Sequence, residues 1–74
     1  MTVVIVLVQT SPGMSAEACK AIEAIEEIQH AHAVTGPYDV IAYAELPAKS
    51  GFRRLVEAIH DAPGVTRTET CMAI

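Results

Sequence analysis

The stretch Ile28-Gln-His-Ala-His-Ala-Val-Thr-Gly-Pro-Tyr-Asp-Val40 decides the fold, because it changes the hydrophobic period of the chain and then reverses its direction. From Ile28 to Thr35 the period is two. Ile28, His30, His32 and Val34 point one way and Gln29, Ala31, Ala33 and Thr35 the other, which is the mark of a strand. Gly36 tolerates positive φ and Pro37 fixes its own, so the pair makes a turn too short for anything except an antiparallel return. Tyr38 to Leu46 is then a strand opposed to the one before it.

Toward the N-terminus, Thr2 to Gln9 is β-branched and continuously apolar, the pattern of a strand covered on both faces. Ser11-Pro-Gly13 breaks it, and Ser15 caps a helix running to about Glu26, with Ala18, Ile22 and Ile25 on one stripe. Toward the C-terminus, Pro47 ends the third strand and Ser50 caps a second helix. Its Phe52, Leu55, Val56 and Ile59 recur at i, i+3, i+4 and i+7, leaving Arg53, Arg54 and Glu57 to solvent. Ala62-Pro-Gly64 stops that helix and launches a last strand from Val65 to Ala73. The order is βαββαβ. With right-handed crossovers this is an α+β ferredoxin-like plait, a four-stranded antiparallel sheet with both helices on one face.

The 74 residues make a single domain spanning 1–74. A chain this short buries only about 60–65% of the surface its unfolded form exposes. Yet 51% of its residues are hydrophobic and its mean hydropathy is +0.34, more than two helices and one sheet can hide. The excess is expected on the bare face of the sheet, with two sheets paired face to face in a dimer.

Charge and composition exclude several function classes. The net charge is -4 with a pI near 5.1, and Lys20, Lys49, Arg53, Arg54 and Arg67 form no long run, so direct nucleic-acid binding is not expected. Tyr38, Tyr43 and Phe52 are too few for a base-stacking platform. The apolar run from Val3 to Val8 is far short of the ~20 residues that cross a bilayer, and no Lys or Arg precedes it as in a signal peptide. Cys19 and Cys71 lack any CxxC or metal-finger spacing and read as reduced thiols of a cytoplasmic protein. Ser11, Ser15 and Ser50 sit at turns or caps, so no nucleophile-base-acid set is legible and no enzyme is expected.

The opening apolar strand with Pro12-Gly13, the Val34-Thr-Gly36-x-Tyr38-Asp39 turn and the closing Pro63-Gly-Val-x-Arg-Thr-Glu-Thr70 together resemble the effector-binding (RAM) module of Lrp/AsnC-type feast/famine regulators over essentially the whole chain. Those regulators carry an N-terminal helix-turn-helix domain, whereas here the first strand follows Met1 directly, so the chain is similar to the stand-alone members of the family. The resemblance implies a non-catalytic sensor of amino acids or related metabolites. It also implies dimers assembling further, as in a ring of eight or so, with the ligand between dimers and with full-length regulators as candidate partners. No cofactor is implied. The alternatives are a purely structural partner in mixed oligomers and a small dimeric mono-oxygenase-like enzyme of the same plait.

Carried over onto this sequence, the family's effector site falls on Gly36, Tyr38 and Asp39 and on Thr66, Thr68 and Thr70. Backbone N–H groups near Gly36 suit an α-carboxylate, Asp39 an α-ammonium, and the threonine hydroxyls either role. Each also has a plain structural explanation: a turn glycine, an aspartate bonded to nearby backbone N–H groups, and threonines paired across strands. Arg67 and Glu69 share a face and suit an ion pair with each other or across an interface. His30-x-His32 projects two imidazoles to one side of a strand, a spacing permissive for a transition metal or for pH sensing, with His60, Glu45, Asp61 or a symmetry mate as conceivable third ligands. No metal ligand is assigned.

Overall fold

A computed structural model describes residues 1–74. The chain builds β1 (Thr2–Thr10), α1 (Ser15–Glu23), β2 (Ile28–Ala33), β3 (Val40–Leu46), α2 (Phe52–His60) and β4 (Val65–Met72), with a 3-10 turn at Lys49–Gly51 leading into α2. The strands form one sheet in the order β2-β3-β1-β4, and every pairing is antiparallel. This is the expected plait.

Both helices cover the same face. Ile22 of α1 and Leu55 and Ile59 of α2 join Val4, Val6, Val8, Val40, Ala42, Ala44 and Leu46 of the sheet in one core, all essentially inaccessible to solvent. Burying each such side chain is worth about 1.5–3 kcal/mol for the larger ones, which is what fixes the helices to that face. The alternate residues of β1 behave differently. Val3 and Leu7 are half-buried and Ile5 is 38% exposed, so one copy covers only one of the two faces that the unbroken apolar run implies.

Element ends depart from the periodicity where tertiary contacts intervene. Helix α1 ends at Glu23 rather than about Glu26: Ala24 and Ile25 donate to Ala21 and Ile22, three residues back, and this tightening swings Ile25 and Ile28 onto the core. Neither expected serine cap forms. Ser15 is the first helical residue behind Met14, Ser50 lies within the 3-10 turn, and no side-chain cap hydrogen bond is made at either helix. Met14 holds the cap position instead and packs on Gly64, where a Cβ would lie 2.5 Å from the Met14 Cβ; Gly64 also has φ +80, so only glycine fits.

In β2 the strict alternation fails. A bulge between Ile28 and His30 puts Ile28 and Ala31 both on the core side, while His30 and His32 share the opposite face without Ile28. The strand also stops at Ala33, and β3 begins at Val40, so residues 34–39 form a loop in place of a two-residue turn. The antiparallel return holds. Strand β1 extends to Thr10, and β4 ends at Met72 rather than Ala73.

Candidate functional site

The 34–39 loop is closed by the Val34 N–H donating to the Asp39 carbonyl at 2.9 Å. At its crest Gly36 has φ +121, a backbone that L side chains rarely adopt, although a Cβ there would meet no atom within 4 Å. Conformation, rather than space, selects glycine here.

The loop is pinned to the end of β1. The Asp39 N–H donates to the Val8 carbonyl at 2.8 Å, and the Asp39 Oδ2 accepts the Thr10 N–H at 2.8 Å. Gln9 Nε2 donates to the Pro37 carbonyl at 3.0 Å, and Thr66 Oγ1 donates to the Gln9 carbonyl at 3.2 Å. A register shift at Gln9/Thr10 makes Thr66 the extra residue between Val65 and Arg67, and the Ser11 N–H to Gly64 carbonyl bond, 2.8 Å, closes the same end. Gly36, Asp39 and Thr66 therefore belong to one end of the sheet, tied together through Gln9 and Thr10.

Two features of this end are chemically open. The N–H groups of Thr35, Gly36 and Tyr38 donate to no backbone acceptor, and the Asp39 Oδ1 accepts no protein hydrogen bond. N–H groups left without an acceptor around a positive-φ glycine suit an anion, and a carboxylate oxygen on the same loop suits a cation. Tyr38 is half-buried and its hydroxyl makes no hydrogen bond to the rest of the chain.

The last two threonines sit elsewhere. Thr68 and Thr70 pair with Val8 and Val6, so they lie on the helix side of the edge strand β4. Thr68 Oγ1 is 2.9 Å from His60 Nε2 at the end of α2, and Thr70 is half-buried without a side-chain hydrogen bond. Sequence reasoning passed over Gln9 and this role of His60. Gln9 had a signal, being a polar residue at the end of an otherwise apolar strand; His60 had none, since only the packing of α2 beside β4 brings it to Thr68.

The other face of the sheet carries a different set of groups. Its rows run His32–Ile41–Leu7–Glu69 and His30–Tyr43–Ile5–Cys71 across the four strands. Tyr43 donates its hydroxyl to Glu45 Oε2 at 2.9 Å, and this bond, followed by burial and the Glu45 charge, raises its pKa above the ordinary tyrosine value. Arg67 and Glu69 form an exposed ion pair at 3.7 Å, which contributes little stability. Both cysteines are free: Cys71 lies on this face, whereas Cys19 is buried on α1, where burial and then Glu23 push its thiol pKa up against the lowering effect of a backbone contact to Ala33. No three His, Cys, Asp or Glu side chains are gathered as a metal site. No helix is long and apolar enough to cross a membrane.

The single pocket, about 550 Å³ and open, lies at the opposite end of the sheet, between Thr2, Val3, Lys49, Met72 and the chain ends. It is lined mainly by apolar side chains and offers Lys49 as its one charged side chain. The loop end has the denser set of uncommitted polar groups but no enclosing cavity within one copy.

A family model described as the Lrp/AsnC ligand binding domain matches residues 3–74. The leucine-responsive regulatory protein of Klebsiella pneumoniae is 33% identical over 67 residues, which is 89% of this chain and 41% of that protein. The chain thus spans less than half the length of this curated relative. A crystal structure of a Thermus thermophilus protein superposes with a TM-score of 0.93 at 28% identity, covering 100% of this chain and 94% of that one. A feast or famine regulatory protein from M. tuberculosis, complexed with L-methionine, superposes with a TM-score of 0.82 over 100% of this chain and 50% of that one. At 19% identity, that likeness is one of fold.

Proposed function

Since the chain belongs to the Lrp/AsnC ligand binding domain family, we propose that it is a non-catalytic, cytoplasmic sensing module whose ligand is an amino acid or a closely related metabolite. The observation that carries this reading is the pairing, on one loop, of uncommitted N–H groups at Thr35, Gly36 and Tyr38 with the uncommitted Asp39 Oδ1. An α-amino acid presents the complementary pair, a carboxylate for the N–H groups and an ammonium for Asp39. The M. tuberculosis relative in fold is complexed with a molecule of that class.

The site is completed by another copy, because one copy leaves the loop without an enclosing wall. Thr66 adjoins the loop through Gln9, while Thr68 and Thr70 reach a ligand from a neighbouring subunit. Dimers form through the half-exposed sheet face of Val3, Ile5, Leu7 and Ile41, and further association of dimers, up to a ring of about eight subunits, brings loops of different dimers together. The ligand shifts this association through its differential affinity for the assembled state. Full-length regulators of the family are the partners through which such a module modulates transcription, without touching nucleic acid itself.

The test is a thermal-shift and sedimentation screen against the common amino acids. At least one should raise the melting temperature, by an amount equivalent to about 2.7 kcal/mol at a hundredfold excess over its Kd. Asp39→Asn keeps an acceptor for the Thr10 N–H but loses the charge, so it should melt close to the wild type and lose the response. A flat screen, or an undiminished response in Asp39→Asn, overturns the proposal.

A further inference from the structure

His30 and His32 are not used by the proposed sensing loop, and their surroundings suit a different task. They project from the edge strand β2 on the face opposite the helices, and both are exposed. Their ring centroids are 6.5 Å apart with planes within 11°. Neither imidazole enters any side-chain hydrogen bond or ion pair, so all four ring nitrogens are uncommitted within the chain. The neighbour on the next strand is Tyr43, 6.0 Å from the His30 ring, whose hydroxyl holds the Glu45 carboxylate. The chain as a whole carries a charge of -4, which favours a cation.

We infer that His30 and His32 form a two-imidazole chelate for a borderline divalent transition cation, with copper(II) bound most tightly and nickel(II) and zinc(II) following. Imidazole nitrogens suit these ions, whereas magnesium and calcium require oxygen ligands that the pair does not offer. Bonds of about 2.0–2.1 Å require the two donor nitrogens to lie within about 4 Å of each other. From a 6.5 Å centroid separation, turning the rings about their terminal torsions is not enough, because a ring nitrogen lies close to its own centroid; the two exposed side chains must also rotate about χ1 to close on an ion. No third protein ligand converges, so water or an exchangeable ligand fills the remaining positions. That makes the site open and reversible rather than a structural clip, and the metal-free chain keeps its fold. The pair lies at the β2 edge of the open sheet face and outside the residues assigned to the sensing loop, so the inference is independent of the amino-acid reading.

Calorimetric titration with copper(II), followed by electron paramagnetic resonance, tests it on the tag-free Cys71→Ser protein, since the exposed Cys71 thiol would otherwise reduce the ion. The expected result is one reversibly bound ion per chain with two equatorial imidazole nitrogens. His30→Gln and His32→Gln should each weaken binding at least ten-fold, since even outer-shell partners of metal ligands are worth about 10–100-fold. His60→Gln, the third histidine, should leave the affinity unchanged. Both substituted side chains are exposed, so circular dichroism should be unaltered. Undiminished binding by the His30→Gln/His32→Gln double variant, or a spectrum with a single nitrogen, overturns the site.

Discussion

The two faces of the sheet are made from alternate residues of the same strands, yet one copy finishes only one of them. In β1, Val4, Val6 and Val8 are wholly buried under the helices, while Val3, Ile5 and Leu7, equally apolar, face outward and stay partly exposed. In β3 the same division separates Val40, Ala42, Ala44 and Leu46 from Ile41, Tyr43 and Glu45. The difference is not one of hydrophobicity. The first face has two amphipathic helices of its own chain to meet, and the second has none. Polar groups frame the second face, with His30 and His32 at one edge and Arg67 and Glu69 at the other, as at the rim of an interface.

The contrast breaks most visibly on the helix side. Leu55→Ala empties a fully buried position and should cost about 2–5 kcal/mol in chemical or thermal unfolding, whatever the protein concentration. Ile5→Lys probes the other face. Within one copy it should be tolerated, because Ile5 is already 38% exposed. In the proposed dimer it buries an unpaired charge, so the variant should sediment as a monomer and lose the concentration dependence of the wild-type melting temperature. Wild-type assembly by Ile5→Lys would show that the open face is not where copies meet.

The smallest expected effect concerns Tyr43, on the same open face. Its pKa is raised in the folded state, first by its hydrogen bond to Glu45, so the stabilisation is complete below the unfolded value near 10.0 and is lost as pH rises through the folded value. Melting curves from about pH 8 to about pH 11 should show an alkaline decline that is shallower in Tyr43→Phe. Equal slopes for the two proteins would mean that the hydroxyl contact contributes nothing on that face.

The six candidate positions could be named from the sequence one by one, but their grouping in space could not. The turn at Gly36 and Pro37 was legible, whereas the rest of the 34–39 loop read as strand, and Asp39 was carried over from the family resemblance. That the Asp39 Oδ2 would be taken by the Thr10 N–H, leaving Oδ1, depends on β1 lying next to the loop, a contact between residues 29 apart in the chain. The six candidate positions also divide in space. The bulge at Thr66 and the pairing of Thr68 and Thr70 with Val8 and Val6 send the last strand's threonines to different surroundings, which no count of alternation along β4 reveals.

The sequence alone determined the order of strands and helices, the antiparallel return at Gly36-Pro37 and the inward stripe of α2, because hydrophobic period and turn chemistry act over a few neighbouring residues. The tertiary structure alone decided where elements end, which face each β2 side chain takes, and which backbone groups the 34–39 loop keeps uncommitted. Met14 packs closely on Gly64, Ile28 and Ala31 share a face through a bulge, and Asp39 is half-satisfied by Thr10. Each of these depends on close packing between segments far apart in the chain, and short-range propensities are too weak to overrule the burial and hydrogen bonding that such packing demands.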